Sequence, residues 1–239
     1  AGPDRNIPDQ VLAALRQYID SGGKAMILID SVLIDRSWLI AQKNPNSFAY
    51  FPREYGVVIE PDLVFDLQSN ETLSFGTQVG SVYLPYPFWA RVPVISKKVA
   101  GNVDTALIPW GSSLGISEEA RSSIDFIPLI ESTEFAAIDF NPGDVRPNSP
   151  IFNQVTNANR VQSLMGVALS ERQNTINNDS SFRLVVFGTS RWLMDGITDR
   201  SQQNLALGLN LIDWLAQEDT LAAVRSKAVT TRDLLFSSG

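Results

Sequence analysis

The 239-residue sequence contains neither cysteine nor histidine. The first absence excludes thiol nucleophiles, disulfides and thiolate metal sites. The second removes the commonest general base, the Ser–His relay and imidazole metal ligands. Any catalysis would fall to carboxylates, lysine, tyrosine or hydroxyls, as in glycosidases or Ser–Lys hydrolases. No apolar run approaches the ~20 residues that a membrane helix needs; "AMILI" (25–29) is among the longest. Positive charge is also scarce. Nineteen Lys and Arg against 26 Asp and Glu give a formal net charge of −7, which argues against a nucleic-acid partner, because phosphate binding needs clustered cations. The lack of cysteine suits a periplasmic and a cytosolic protein equally.

What is present reads as a globular domain with a substantial core, at 44% hydrophobic and 19% charged residues. "IPDQVLAALRQYIDSGG" predicts a helix, with Pro8 in its first turn, an apolar face of Val11, Leu12, Leu15 and Ile19, and Gly22-Gly23 ending it. "KAMILID" follows as a buried strand, and "DTALIPW", "SIDFIPLIES", "VQSLMGVALS" and "FRLVVFG" repeat that pattern. Residues 62–99 hold brief β-type runs separated by Asn, Gly and Pro, the signature of hairpins. "SQQNLALGLNLIDWLAQED" (201–219) predicts a second helix, polar only along Gln203, Asn210, Asp213 and Gln217 and therefore mostly buried. Strands alternating with helices imply a single α/β domain with a mainly parallel sheet flanked by helices, and a β-hairpin-rich insertion at about 57–100.

The parallel-sheet reading has a functional corollary. Strand ends at Asp30, Pro109 and Gly188 would share one edge, where open α/β folds bind ligands. That edge would gather Ser31, Trp110, Ser112, Ser113, Thr189, Ser190 and Arg191 as a candidate ligand- or partner-binding region. "GTSR" (188–191) is neither a phosphate loop nor a Gly-x-Ser-x-Gly elbow. With no histidine to serve as base, its hydroxyls read as turn caps in preference to a nucleophile. Ser112 and Ser113 of "PWGSSLG" suit a loop nest for an anion, or an ordinary turn. Asp30 and Asp35 lack the further oxygen ligands of a metal pair and read as capping or solvated residues. "YLPYPFWARV" (83–92) suits either an exposed recognition edge or the inner face of the insertion. No cofactor or metal is expected.

The ordered pieces "LRQYIDSGGKAMILID", "EYGVVIEPDLVFD", "ALIPWGSSL", "RLVVFGTSRWLMDG", "NLALGLNLIDWLAQED" and "AAVRSKA" resemble the soluble domain of gliding-motility-type (GldG-like) auxiliary components of ABC transport systems. The resemblance implies a glutamine-amidotransferase-like or flavodoxin-like α/β fold without Cys–His machinery. It also implies an extracytoplasmic (periplasmic) location, held by membrane segments outside this chain, beside an ABC permease and ATPase. Thr189 departs from the aspartate usual in that family after the strand glycine. The chain opens on "AGP" without an initiator methionine and is expected to be a piece of a longer membrane-anchored protein. The expected function is a non-enzymatic accessory domain that binds a partner or a transported ligand. The alternatives are a carbohydrate-active enzyme with two carboxylates facing across a cleft, and a sugar- or peptide-binding module whose 83–92 aromatics line a groove.

Overall fold

A computed structural model describes residues 6–78, 80–117, 123–171 and 182–216. Thirteen strands are seen among them: β1 (Lys24–Leu28), β2 (Val32–Asp35), β3 (Ile40–Lys43), β4 (Val57–Ile59), β5 (Leu63–Asp66), β6 (Asn70–Thr77), β7 (Gly80–Pro93), β8 (Thr105–Pro109), β9 (Leu114–Ile116), β10 (Ile124–Glu131), β11 (Ala136–Asp139), β12 (Leu164–Glu171) and β13 (Arg183–Phe187). Four α-helices accompany them: α1 (Asp9–Asp20), α2 (Lys97–Ala100), α3 (Asp195–Thr198) and α4 (Gln202–Ala216). Helix α1 starts on the carbonyl of Pro8, which accepts from Val11 and Leu12, and Gly22 at φ 91° turns the chain directly into β1.

The expectation of a mainly parallel, flavodoxin-like α/β fold is overturned: the chain is mostly β, built from small antiparallel sheets. The largest has the order β1-β13-β12-β10, and β1 with β13 is its parallel pair; β12 runs antiparallel to both β13 and β10. Strand β8, expected beside them, instead joins β6 and β7 in a separate three-stranded antiparallel sheet.

The misreading has a physical origin. A continuous apolar run reports burial of both strand faces and not strand direction. Here Leu184 and Val186 pack with Ile19, Phe51 and Tyr55 on one face, while Val185 and Phe187 pack with Ala106, Ile108, Leu207 and Leu211 on the other. One face is therefore covered by α1 and the 3-10 turn Ser47–Tyr55, and the other by α4 together with the second sheet. A sheet can be sealed on one side by another sheet as well as by crossover helices.

Segment 57–100 is stitched into the rest of the chain. Strand β4 pairs with β9 and β5 with β11, while β6 and β7 form a long hairpin whose inner part pairs with β8. Within 83–92 the aromatics divide between the inside and the outside of the fold. Tyr86 and Phe88 are fully buried, and Tyr83 near the hairpin tip is 72% exposed.

Helix α4 also departs from expectation. It buries Asn204, Leu207, Leu211 and Trp214, and it leaves Leu205, Leu209 and Ile212 exposed. The side of the helix that carries amides turns inward because β8 has a free edge to satisfy. Asn204 accepts from the Leu107 N–H at 2.8 Å and donates to the Leu107 and Trp192 carbonyls at 2.7 and 2.8 Å. Gln203 accepts from Asp104 and Thr105 N–H, and Asn210 donates to the Ala100 carbonyl. Two side-chain amides thus continue the ladder where another strand would have been. Gln217, the last of the polar line read from the sequence, lies outside the described residues, as do 172–181 and "AAVRSKA".

Asn204→Leu leaves three buried backbone groups without partners, each costing about 1–3 kcal/mol. It is expected to lower the unfolding free energy by about 3 kcal/mol or more. Urea denaturation checks this, and an unchanged midpoint would show that the edge of β8 does not need the amide.

Candidate functional site

The segments that carry the seven candidate residues come together, although their strands do not share one sheet. Asp30 follows β1, the 188–191 turn follows its parallel neighbour β13, and residues 110–113 follow β8. The turn approaches the 110–113 loop closely: Ser112 N–H donates to the Gly188 carbonyl at 3.0 Å, and a Cβ on Gly188 would lie 2.3 Å from the Ser112 carbonyl oxygen. Only glycine permits that approach.

Asp30 organises the turn. Its carboxylate accepts from Ser190 N–H at 3.0 Å and from Ser190 Oγ at 2.6 Å. Thr189 Oγ1 lies 3.0 Å from the same carboxylate and 3.2 Å from the Pro109 carbonyl, and it accepts from Arg191 N–H. Ser190 Oγ is therefore tied to the Asp30 carboxylate in a buried cap, and Thr189 occupies the centre of a buried junction. Asp35 caps its own turn by accepting from the N–H groups of Ser37 and Trp38.

A second carboxylate does the same for the neighbouring loop. Asp62 accepts from Ser113 N–H at 2.8 Å and Ser113 Oγ at 2.6 Å. Ser31 Oγ lies 2.6 Å from Ser112 Oγ and 2.7 Å from the Glu60 carbonyl, while Ser112 Oγ reaches the Asp62 carbonyl at 2.7 Å. Two hydroxyl protons serve those three contacts. All five hydroxyl residues are buried. Burial pushes the Asp62 carboxyl above its ordinary pKa, with the two Ser113 hydrogen bonds opposing the shift.

Trp110 and Arg191 have a different setting. They line a cavity of about 340 Å³ together with Arg36 and Leu39 of the β2–β3 turn, Leu73, Phe75, Tyr86 and Trp89 of the long hairpin, and Met194, Gly196 and Ile197. Trp110 has φ 47°, a costly conformation for a bulky residue. It is held by donating its backbone N–H to the Phe88 carbonyl and its indole N–H to Tyr86 Oη at 3.0 Å. Leu39, at φ 51°, is the other non-glycine residue with positive φ among the described residues, and it lines the same cavity.

The guanidinium carbons of Arg191 and Arg36 stand 5.1 and 6.0 Å from the Trp110 ring centroid. Arg191 Nε is 3.8 Å from Asp30. Burial lowers the Arg191 pKa, Asp30 opposes that, and Arg36 adds to the lowering. The lining contains no acidic side chain, and no group of three metal-ligating side chains occurs among the described residues.

A family described as an ABC-type uncharacterized transport system matches residues 1–218. The chain belongs to this family of transport-system auxiliary components. An uncharacterized protein of Borreliella burgdorferi is 20% identical to this family member over 243 residues, covering 98% of the chain and 47% of the relative. The chain thus spans about half the length of the curated relative it matches. A solved structure, "mmIFT52 N-terminal domain", superposes with a TM-score of 0.56 over 92% of this chain and 76% of that one, at 16% identity. The likeness is one of fold. No helix among the described residues of this family member is long and apolar enough to cross a membrane.

Sequence reasoning missed Arg36, Leu39 and Asp62. Arg36 and Leu39 sit in a turn with no periodicity to place it, and Asp62 looks like a loop acid beside Pro61. A hydroxyl pair in "GSSL" does signal that an acceptor is required, but not which carboxylate provides it.

Asp30→Ala strands Thr189 and Ser190 donors in a buried site and is expected to cost about 3–5 kcal/mol. Asp30→Asn, which keeps an acceptor for Ser190 N–H, should cost less than half of that in guanidinium unfolding. Equal losses would mean that the charge, and not the hydrogen-bond geometry, matters. For Asp62 the folded-state pKa lies above the unfolded value, so the folded state holds the proton more tightly. Its contribution to stability is most favourable below the ordinary carboxylate range and falls as pH rises through the folded pKa. Asp62→Asn should remove that part of the pH dependence and be as stable as the parent, or more so, at neutral pH. Denaturation midpoints of parent and variant across the acid-to-neutral range test the sign.

Proposed function

We propose that this auxiliary component is a non-enzymatic binding domain, working on the extracytoplasmic face of the membrane beside the permease and ATPase of an ABC transport system. The observation that carries the reading is the state of the candidate residues. Every hydroxyl is engaged internally with a carboxylate, a carbonyl or another hydroxyl, whereas Trp110 and Arg191 turn toward an aromatic-lined cavity. Such an arrangement offers a place to bind, while the buried hydroxyl–carboxylate pairs Ser190–Asp30 and Ser113–Asp62 hold loops in place. The six ordered motifs support a gliding-motility-type, GldG-like assignment within the family, with membrane segments outside the 239 residues. Trp110 is 6% exposed and the Arg191 side chain 12%, so recognition there suits a small group entering the cavity better than a broad protein surface. The partner-binding surface would then lie elsewhere on the domain.

The test has two arms. Tagged chain mixed with detergent-solubilised membranes should capture an ABC permease and its ATPase, and a panel of glycoside, ester and peptide substrates should show no turnover above background. Turnover abolished in a folded Ser190→Ala variant would overturn the non-enzymatic reading. Failure to retain permease or ATPase would overturn the transport-partner reading.

A further inference from the structure

We propose that the Trp110 cavity is a binding site for a small organic acid, with a carboxylate or phosphate held by Arg36 and Arg191 and an apolar or aromatic body seated among the rings. This deepens the binding-domain reading and rests on it. The charge inventory points to an anion. Two guanidiniums face the same indole, and Arg191 is repelled by Arg36. Asp30, the acid nearest to Arg191 Nε, already accepts from Thr189 and Ser190. Arg191 Nη1 is buried and makes no hydrogen bond among the described residues, and neither does Trp89 Nε1 on another wall. Among the described residues the hydrogen-bond acceptor of Arg36 is the sulfur of Met194, at 3.6 Å. A buried donor without an acceptor is costly, which applies to Arg191 Nη1 and Trp89 Nε1. An acidic group between the two forks would supply acceptors to both, and guanidinium is the side chain best matched to planar, bidentate carboxylate or phosphate.

The remaining walls select the body of the ligand. Leu39, Leu73, Phe75, Tyr86 and Trp89 are apolar or aromatic. A volume of about 340 Å³ falls at the lower end of small-molecule pockets, roughly 300–1,000 Å³. Trp110 and Leu39 both hold positive φ against the cavity. Backbone strain of that kind persists where the surroundings over-determine it, and it clusters at ligand clamps. A free sugar would leave the cations unmatched, and a cationic ligand would be repelled.

Isothermal titration of the 239-residue chain with 4-phenylbutyrate, phenyl phosphate and the neutral 4-phenylbutanamide tests the site. At least one anion should bind with Kd of about 1 mM or tighter, as expected for roughly a dozen ligand atoms. The neutral amide should be weaker by about tenfold or more, the value of one charge-assisted contact. Arg36 is exposed, so Arg36→Gln should keep its melting temperature while weakening the anion about fivefold or more. Neither anion binding by 10 mM, the amide binding as tightly as the anions, or Arg36→Gln binding them like the parent would each overturn the proposal. Capture of the permease is measured separately, so loss of the cavity proposal leaves the transport-partner reading standing, and the converse holds.

Discussion

The arrangement of the candidate site depends on one buried carboxylate. Asp30 ends the strand that enters the largest sheet, and it accepts the hydrogen bonds that shape the turn leaving that sheet. Because β1 and β13 are parallel neighbours, their ends lie side by side, and a short acid at one end can cap the other. The cap fixes Ser190 and Thr189, and with them the direction in which Arg191 leaves the turn. Thr189 then reaches the Pro109 carbonyl, and Gly188 admits the Ser112 backbone. Two sheets that share no strand are joined through these contacts. A hydroxyl at position 189 serves this junction without placing a second carboxylate beside Asp30. Two acids so close could not both stay ionised without cost.

The same device recurs with Asp62 and Ser113, and an uncharged version joins α4 to β8 through Asn204. These are the places where the fold stops being layered and must turn corners. Apolar packing covers strand faces but leaves backbone groups at strand ends and edges unpaired, and those groups must find partners when water is excluded. The buried polar residues sit at such points. Asp66 illustrates it again, accepting from Gln68, Ser69 and Thr133 where β5 ends.

This division explains what could be read from the sequence. The apolar runs of 24–28, 105–109, 124–131, 164–171 and 183–187 are strands, and 9–20 and 202–216 are helices, because burial and periodicity are local properties. Strand direction and sheet membership are not local. Residues 105–109 have the composition of a central strand yet pair with a hairpin. The convergence at 30, 109 and 188 follows from β1 and β13 being parallel and from β8 ending against them, a route different from the one the alternating pattern suggested. Amphipathicity misled at α4, where Asn204 is buried and Leu209 is not. An exposed leucine costs little, whereas an unpaired strand edge costs a great deal. Arg36 was illegible because nothing in "DRSWL" says that its turn folds over Trp110.

An acidic chain would not be expected to attract an anion, and the cavity shows why overall charge is a poor guide. A formal charge of −7 spread over the surface is screened over about 8 Å at physiological ionic strength. Two guanidiniums beside one aromatic ring act at contact distance, and Arg191, largely buried, does so in a less polarisable setting where a charge counts for several times its value in water. Asp30 offsets part of that field at Arg191 but is shared with the Thr189 and Ser190 donors. Arg36 has no acid of its own in the lining. Net charge therefore governs solubility and long-range encounter, while what the cavity accepts is set by the two forks and the rings between them. A cationic pocket in an acidic domain also discriminates against nucleic acid, since the surrounding surface repels a polyanion that a single small acid can slip past.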